Sequence, residues 1–312
     1  MRKGLADMYE KGLLLYNGNQ EQAVNQKVLD AVIGTIAVHV KELSLKQTEY
    51  KGHAGEICRG FTEDVDILFI LGGDGTVHEC FNGLAALENP PVAAILPGGT
   101  CNDFSRELAI PQNLRRSAET LMSGEVRNVD IGKMNNDYFV NFLGVGMIAE
   151  TSENINEELK GVFGKVSYFI SAIQTIGTTE PFSFTLQADG ESFQRKGVMI
   201  LVANGRFIGT NRLPVDNISI EDGKFDIFIV NQGGAPLVKE FFGTKTPFTW
   251  DPNQSEIDHL RASEITIETE QPMKIDADGE TYLETPVNIS LVKKKIPVLA
   301  GENKALLGFN QK

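Results

Sequence analysis

At 312 residues, with 41% hydrophobic and 23% charged residues, the chain has the make-up of a soluble globular protein of two ordinary domains or one large α/β domain. Its formal charge of −13 excludes the basic footprint that a nucleic-acid backbone needs, and it makes plain electrostatic attraction to anionic membranes a poor expectation. No apolar run approaches the roughly 20 residues that span a bilayer, and the N-terminal "LLLY" is too short for a secretory signal, so the cytoplasm is the expected compartment.

In chain order, "GLLLYNG" (12–18) reads as a short apolar strand running into a turn. Val24, Val28 and Val32 then fall at four-residue spacing and lay one helical stripe over 21–36. "ELSLKQTEY" (42–50) alternates like a strand, and a short helix is expected over about 52–60. "VDILFIL" (65–71) is a continuous apolar run, typical of a parallel strand covered on both faces. A helix is expected from near Thr76, with Val77, Phe81 and Leu84 on one face and "ENPP" (88–91) ending it. "PVAAILP" (91–97) is the next buried strand, and "NLRRSAETLMSG" (113–124) a helix closed by Gly124 in the usual C-terminal position. This βαβαβ rhythm predicts a doubly wound parallel sheet with right-handed crossovers.

From about residue 126 the texture changes to short β runs separated by turn residues, interrupted by helical segments at 156–176 and 236–242. The expected architecture is an α/β nucleotide domain over 1–126, rejoined by the tail 297–312, and a mainly antiparallel domain over 127–296. The cysteines, Cys58, Cys80 and Cys101, lie 22 and 21 residues apart without a CxxC, which fits small buried hydrophobes rather than zinc or disulfides.

Two turns carry chemistry. "GGDGT" (72–76) follows a buried strand and opens a helix, where free N–H groups and the helix dipole favour phosphate and glycine lets it come close. Taken alone, it also reads as a glycine-rich turn with no ligand. "LPGGTCNDF" (96–104) repeats the arrangement 25 residues on, and adjacent strand ends of a doubly wound sheet open onto one crevice. Neither is a Walker A loop, because GxxxxGK[ST] occurs nowhere in the chain. "FLGVGMIAE" (142–150) fits the dinucleotide fingerprint in form but lies where the chain turns β-rich, so a bend in the second domain explains it better. His78, one turn into the helix after the glycines, is expected in packing.

In this order, "GGDGT", "PGGTCNDF", "VDIG" (129–132), "EDGKFD" (221–226) and "DADGE" (276–280) resemble the diacylglycerol kinase catalytic family. That family includes bacterial lipid kinases and the sphingosine and ceramide kinases, and it is more distantly similar to NAD kinases and phosphofructokinases. The resemblance covers nearly the whole chain, from "LLLYNG" to "IPVLAG". It implies a phosphofructokinase-like α/β domain followed by a β-sandwich-like domain, an active site in the cleft between them, and ATP-dependent transfer of the γ-phosphoryl group to a lipid hydroxyl.

By that resemblance Asn17, Thr48, Gly72, Gly73, Asp74, Gly75, Thr76, Gly99, Thr100 and Asn102 line the nucleotide, and Asp74 and Asp130 hold catalytic Mg²⁺, directly or through water. The general base comes from "DADGE", with Asp278 first and Glu280 second, although "DG" alone is equally an ordinary hairpin turn. A separate structural metal is implied at "ISIEDGKFD" (218–226), held by the Asp222 side chain and carbonyls near Ser219 and Lys224; a metal-free turn is the alternative. Two departures stand out. "NGNQ" (17–20) lacks the proline and distal glycine usual in the first turn, and "FIGTNRLPVDN" (207–217) places Arg212 where relatives often carry glycines.

A lipid kinase must reach a membrane surface, and the segment 156–176 is expected either to present an apolar edge for peripheral contact at the inner face or to serve as a core helix. A small-molecule kinase like the NAD kinases and a non-catalytic nucleotide-binding regulator are the rival readings. The acceptor lipid is left open among diacylglycerol, a polyprenol, phosphatidylglycerol and a sphingoid base. So is the oligomeric state, with which a homodimer is compatible.

Overall fold

The computed structural model describes residues 9–17, 22–61, 65–146, 149, 180–213, 215, 217–231 and 257–302. The chain divides into two compact units, Met1–Val129 with Lys294–Lys312, and Asp130–Lys293.

The first unit alternates β1 (Tyr9–Asn17), α1 (Gln22–Ile36), β2 (Val40–Thr48), α2 (His53–Arg59), β3 (Ile67–Gly72), α3 (Asp74–Leu84) and β4 (Val92–Pro97). The short α4 (Asp103–Glu107) and then α5 (Leu114–Ser123) follow. The strands are parallel in the order β2-β1-β3-β4. The chain therefore winds outward from β1 to β2 and then crosses to the other side of β1, which puts the switch point of the sheet between β1 and β3. Every residue of β3 is buried, as its unbroken apolar run requires of a strand covered on both faces. Helix α1 packs on α5, and α2 on α3. Val77, Phe81 and Leu84 form the buried stripe of α3, and Phe81 meets Phe104 of α4 edge-on at 5.1 Å.

Helix α5 starts where the Asn113 side chain accepts the Arg116 N–H. Its end differs from expectation. Gly124 is extended (φ −77, ψ −174) rather than left-handed, and glycine is required there because a Cβ would lie 2.2 Å from the Ala300 carbonyl oxygen. Helix α4, inside the second glycine segment, was not expected from periodicity; at five residues it is too short to show one.

The second unit is antiparallel. β5 (Glu125–Met134) enters it and pairs with β6 (Asp137–Phe139). One layer has the order β14-β13-β10-β7-β16-β17, from β7 (Phe142–Gly146), β10 (Met199–Ala203), β13 (Phe225–Val230), β14 (Ile257–Ala262), β16 (Lys274–Ala277) and β17 (Glu280–Glu284). The other pairs β8 (Phe182–Ala188) with β9 (Glu191–Gly197) and with β15 (Glu264–Thr269), and β15 with the start of β18 (Val287–Ala300). The small hairpin β11 (Phe207–Ile208) and β12 (Asn211–Arg212) stands apart. Leu143, Val145, Ile200 and Ile227 of the first layer share a core with Leu186, Ile265, Ile267 and Ile289 of the second, so the unit is a β-sandwich. The end of β18 belongs to the first unit, where Val298 lies parallel to Ala93 of β4.

"FLGVG" is accordingly a strand of the antiparallel layer, with Gly144 opposite Leu201 and Asp276, and no dinucleotide turn. The helical segments expected at 156–176 and 236–242 lie outside the described residues.

Candidate functional site

The two glycine turns touch. β3 and β4 run in register with Gly72 opposite Pro97, and the Gly98 N–H donates to the Gly72 carbonyl at 2.9 Å. A Cβ on Gly99 would lie 2.5 Å from the Gly73 Cα, and one on Gly73 would lie 3.0 Å from the Gly99 Cα. Two backbones can approach this closely only where both residues lack side chains. Helix α3 begins at Asp74, directly after this contact, so its first N–H groups open at the paired turns. Thr76 closes over Gly72, where a Cβ would come within 2.6 Å of its side chain.

The acids and amides beside these turns hold the loops in shape. The Asp74 Oδ1 accepts the Asp103 backbone N–H at 2.7 Å, which ties the start of α3 to the start of α4. Asn102 adopts φ +52, and its Oδ1 accepts the Gly99 N–H at 2.8 Å while its Nδ2 donates to the Gly99 carbonyl and to Gln112 Oε1. Asn102 therefore shapes its own turn, while Gly99 and Thr100 remain exposed beside it. Further along the same sheet edge, Asn17 lies opposite Thr48 at the ends of β1 and β2, and Tyr16 lies opposite Leu71 of β3. Asn17, Thr48 and the Gly72–Thr76 turn are thus brought to the C-terminal edge at the switch point, where open α/β sheets bind ligands. Residues 18–20 of the altered first turn lie outside the described residues.

The remaining predicted acids lie in the second unit, and buried hydrogen bonds link two of them, Asp130 and Asp278, to the same segment of chain. Asp130 is buried; its N–H donates to the Ile220 carbonyl at 2.7 Å and its Oδ2 accepts the Gly223 N–H at 2.8 Å. Asp278 and Gly279 form a two-residue hairpin turn between β16 and β17, both with positive φ (54 and 86), as a type I′ turn requires. The Asp278 side chain does more than shape the hairpin. It is 5% exposed, and its carboxylate accepts the N–H groups of Val140, Asn141 and Phe142 at 2.7, 2.8 and 3.1 Å. Glu280, half-buried, begins β17 directly after the turn.

The residue that links these two acids, Asn204, carries no local sequence signal. Asn204, fully buried, donates from Nδ2 to the carbonyls of Asp130 at 3.0 Å and of Val140 at 2.7 Å. Its backbone N–H and that of Gly205 both donate to the Asn141 carbonyl. The 140–142 segment is therefore gripped through its carbonyls by Asn204 and through its N–H groups by Asp278. Only Nδ2 can face two carbonyl oxygens, which fixes the orientation of the amide and leaves Oδ1 buried without a partner. Asn204→Leu keeps much of the volume but leaves two buried carbonyls short of a donor; urea unfolding is expected to show a loss of about 1–3 kcal/mol.

The turn at 219–224 fits a metal poorly. The Asp222 Oδ1 accepts the Lys224 N–H at 3.1 Å and its Oδ2 is bonded by Arg261 Nη2, so both oxygens face donors that a cation would have to displace. Nor is the turn remote from the predicted chemistry, since its Gly223 N–H is the one bonded to Asp130. Among the described residues no group of three or more His, Cys, Asp and Glu side chains forms a metal cage. Asp74 and Asp130 instead offer single carboxylates, the donor type suited to an Mg²⁺ ion that keeps its waters.

The other singled-out residues are structural or peripheral. His78 is buried, with Asn82 Nδ2 3.3 Å from its Nε2. All three cysteines are buried and free, and burial, reinforced by Cys58, pushes the Cys80 thiol well up. Arg212 is half-buried in the β11–β12 hairpin.

A doubly wound sheet with paired glycine turns beside its switch point, joined to a β-sandwich that carries clamped acids, defines a two-domain α/β and β-sandwich protein. The chain belongs to the diacylglycerol kinase family: residues 11–134 match the diacylglycerol kinase catalytic domain, and residues 142–300 match the YegS C-terminal NAD kinase beta sandwich-like domain. It is 34% identical over 301 residues to a Staphylococcus aureus (strain Mu3) protein called "Putative lipid kinase", covering 95% of this chain and 98% of that one. Two solved structures from Bacillus anthracis str. Sterne are 36% identical. One, "Crystal structure of a putative diacylglycerol kinase", has a TM-score of 0.87 and covers 96% of this chain and 98% of its own. The other, "The crystal structure of a diacylglycerol kinases", has a TM-score of 0.85 and covers 95% and 98%.

Proposed function

We propose that this protein is an ATP-dependent lipid kinase that transfers the γ-phosphoryl group to the hydroxyl of a lipid such as diacylglycerol. The observation that carries the reading is the backbone contact between Gly73 and Gly99, which sets the first N–H groups of α3 against the second glycine turn, one strand from the sheet's switch point. In this reading the turns at 72–76 and 99–100 line the phosphates, the N–H groups at the start of α3 receive their oxygens while the Gly99 N–H stays on Asn102 Oδ1, and Asn17 and Thr48 line the rest of the nucleotide. Asp74 and Asp130 hold Mg²⁺, directly or through water; once bound, the ion neutralises charge on the phosphates. Asp278, with Glu280 second, takes the proton of the lipid hydroxyl as its oxygen bonds to phosphorus and ADP departs. Both oxygens of Asp278 are oriented by fixed N–H groups, so the carboxylate is held in place before substrate arrives.

In this reading the protein acts from the cytoplasm and reaches its lipid by peripheral contact at the inner face of the membrane. Among the described residues no helix is long and apolar enough to cross a membrane. The test is incubation with γ-labelled ATP, Mg²⁺ and a total lipid extract, followed by thin-layer chromatography. A labelled lipid is expected. Label confined to a water-soluble product such as a phosphorylated dinucleotide would favour the NAD kinase-like reading, and no transfer at all would favour a nucleotide-binding regulator.

A further inference from the structure

The resemblance to lipid kinases implies a structural cation at the 219–224 turn, and this chain has placed another positive group there. Arg261 on β14 lies directly opposite Asp226 on β13. Its Nη2 donates to Asp222 Oδ2, and its Nε lies 3.3 Å from Asp226 Oδ1. Asp226 is 1% exposed, and the same Oδ1 is 2.8 Å from His259 Nε2. One guanidinium thus spans an exposed and a fully buried carboxylate, hydrogen-bonded to Asp222 and ion-paired with Asp226.

The other oxygen of Asp222 accepts the Lys224 N–H, and the side chain of Lys293 lies over Gly223, with its Cε 2.9 Å from where a glycine Cβ would stand. A divalent ion at this turn would need an Asp222 oxygen at about 2.0–2.6 Å and would meet two cationic side chains already there.

We propose that Arg261 performs the work of that cation: it clamps the 219–224 turn and thereby positions Asp130, leaving this turn independent of metal. The mechanical link is short. Fixing Asp222 fixes the next peptide, whose Gly223 N–H holds Asp130 Oδ2, while the Ile220 carbonyl at the head of the turn accepts the Asp130 N–H. Arg261 is a positioning residue on this account and touches no substrate. The inference stands on ion-pair geometry and does not need the lipid-kinase reading to be right.

The test is thermal unfolding of the full chain without nucleotide, in millimolar Mg²⁺ or in EDTA, for the wild type, Asp222→Asn, Arg261→Met and the double variant. The wild type and Asp222→Asn are expected to show the same difference in Tm between Mg²⁺ and EDTA. Arg261→Met is expected to lower Tm by a few degrees in EDTA and to regain part of it in Mg²⁺, because two carboxylates then share the turn unneutralised. The double variant should lose that recovery. Should Arg261→Met fail to fold, Arg261→Lys, which keeps the charge but not the fork, is expected to show a smaller loss in EDTA and a correspondingly smaller Mg²⁺ recovery. A wild-type Mg²⁺ stabilisation that Asp222→Asn abolishes would overturn the proposal, as would an arginine variant with unchanged Tm and no response to Mg²⁺.

Discussion

Gly99→Ala is expected to weaken ATP binding at least about tenfold and to lower stability by about 1–3 kcal/mol, because the added methyl has nowhere to go. The Cβ would stand 2.5 Å from the Cα of Gly73 and 2.9 Å from the Oδ1 of Asn102. The first neighbour is backbone at the end of a fully buried strand, and the second is an amide already bonded twice to Gly99 itself. Neither can swing aside as the tip of a long side chain could. The turns must separate, and with them the two surfaces proposed to line the phosphates. Gly34→Ala is the natural control: this exposed glycine of α1 has no atom within 4 Å of a built Cβ, so alanine there should be neutral or stabilising by up to about 1 kcal/mol. Titration with a fluorescent nucleotide, together with thermal unfolding, checks both. An unchanged ATP affinity in Gly99→Ala would sink the placement of the phosphates at these turns.

The contrast between those glycines shows what can be read from a sequence and what cannot. Buried parallel strands announce themselves as apolar runs, so β3 and β4 were legible, and their order fixed which turns would be neighbours. The β-rich texture after residue 126 likewise predicted the antiparallel unit. Local signals fail where a residue's role depends on a partner far along the chain. Asn204 lies 64 residues from Val140, and Asp278 lies 136–138 residues from the three N–H groups its carboxylate binds. Nothing near "DADGE" distinguishes a hairpin tip from a clamp on another strand. Arg261 was missed for the same reason: its meaning comes from the β13–β14 register, which sets it opposite Asp226 and within reach of Asp222. Gly124 failed differently, since a C-terminal glycine usually signals a left-handed cap, and here it answers to the Ala300 carbonyl.

The largest effect is expected at the hairpin tip. Asp278→Asn should lower kcat by about 10²–10⁴-fold with little change in KM for ATP, the range in which positioned proton acceptors contribute. It should also cost stability. Two N–H groups converge on Oδ1 and one on Oδ2, so an amide nitrogen at either position would point donor at donor and leave a buried N–H unsatisfied, at about 1–3 kcal/mol. Glu280→Gln gives the discriminating comparison. Glu280 lies on the strand just past the turn, and its substitution removes a charge without touching the three N–H bonds at Asp278. With Asp278 as the base, Glu280→Gln should retain most of its turnover and its Tm. Steady-state kinetics below the Tm of each variant, with lipid presented in mixed micelles, separate the two. A Glu280→Gln variant that is fully folded yet slowed a hundredfold, beside an Asp278→Asn variant whose loss follows only its unfolded fraction, would move proton transfer to Glu280 and leave Asp278 as the clamp that holds residues 140–142.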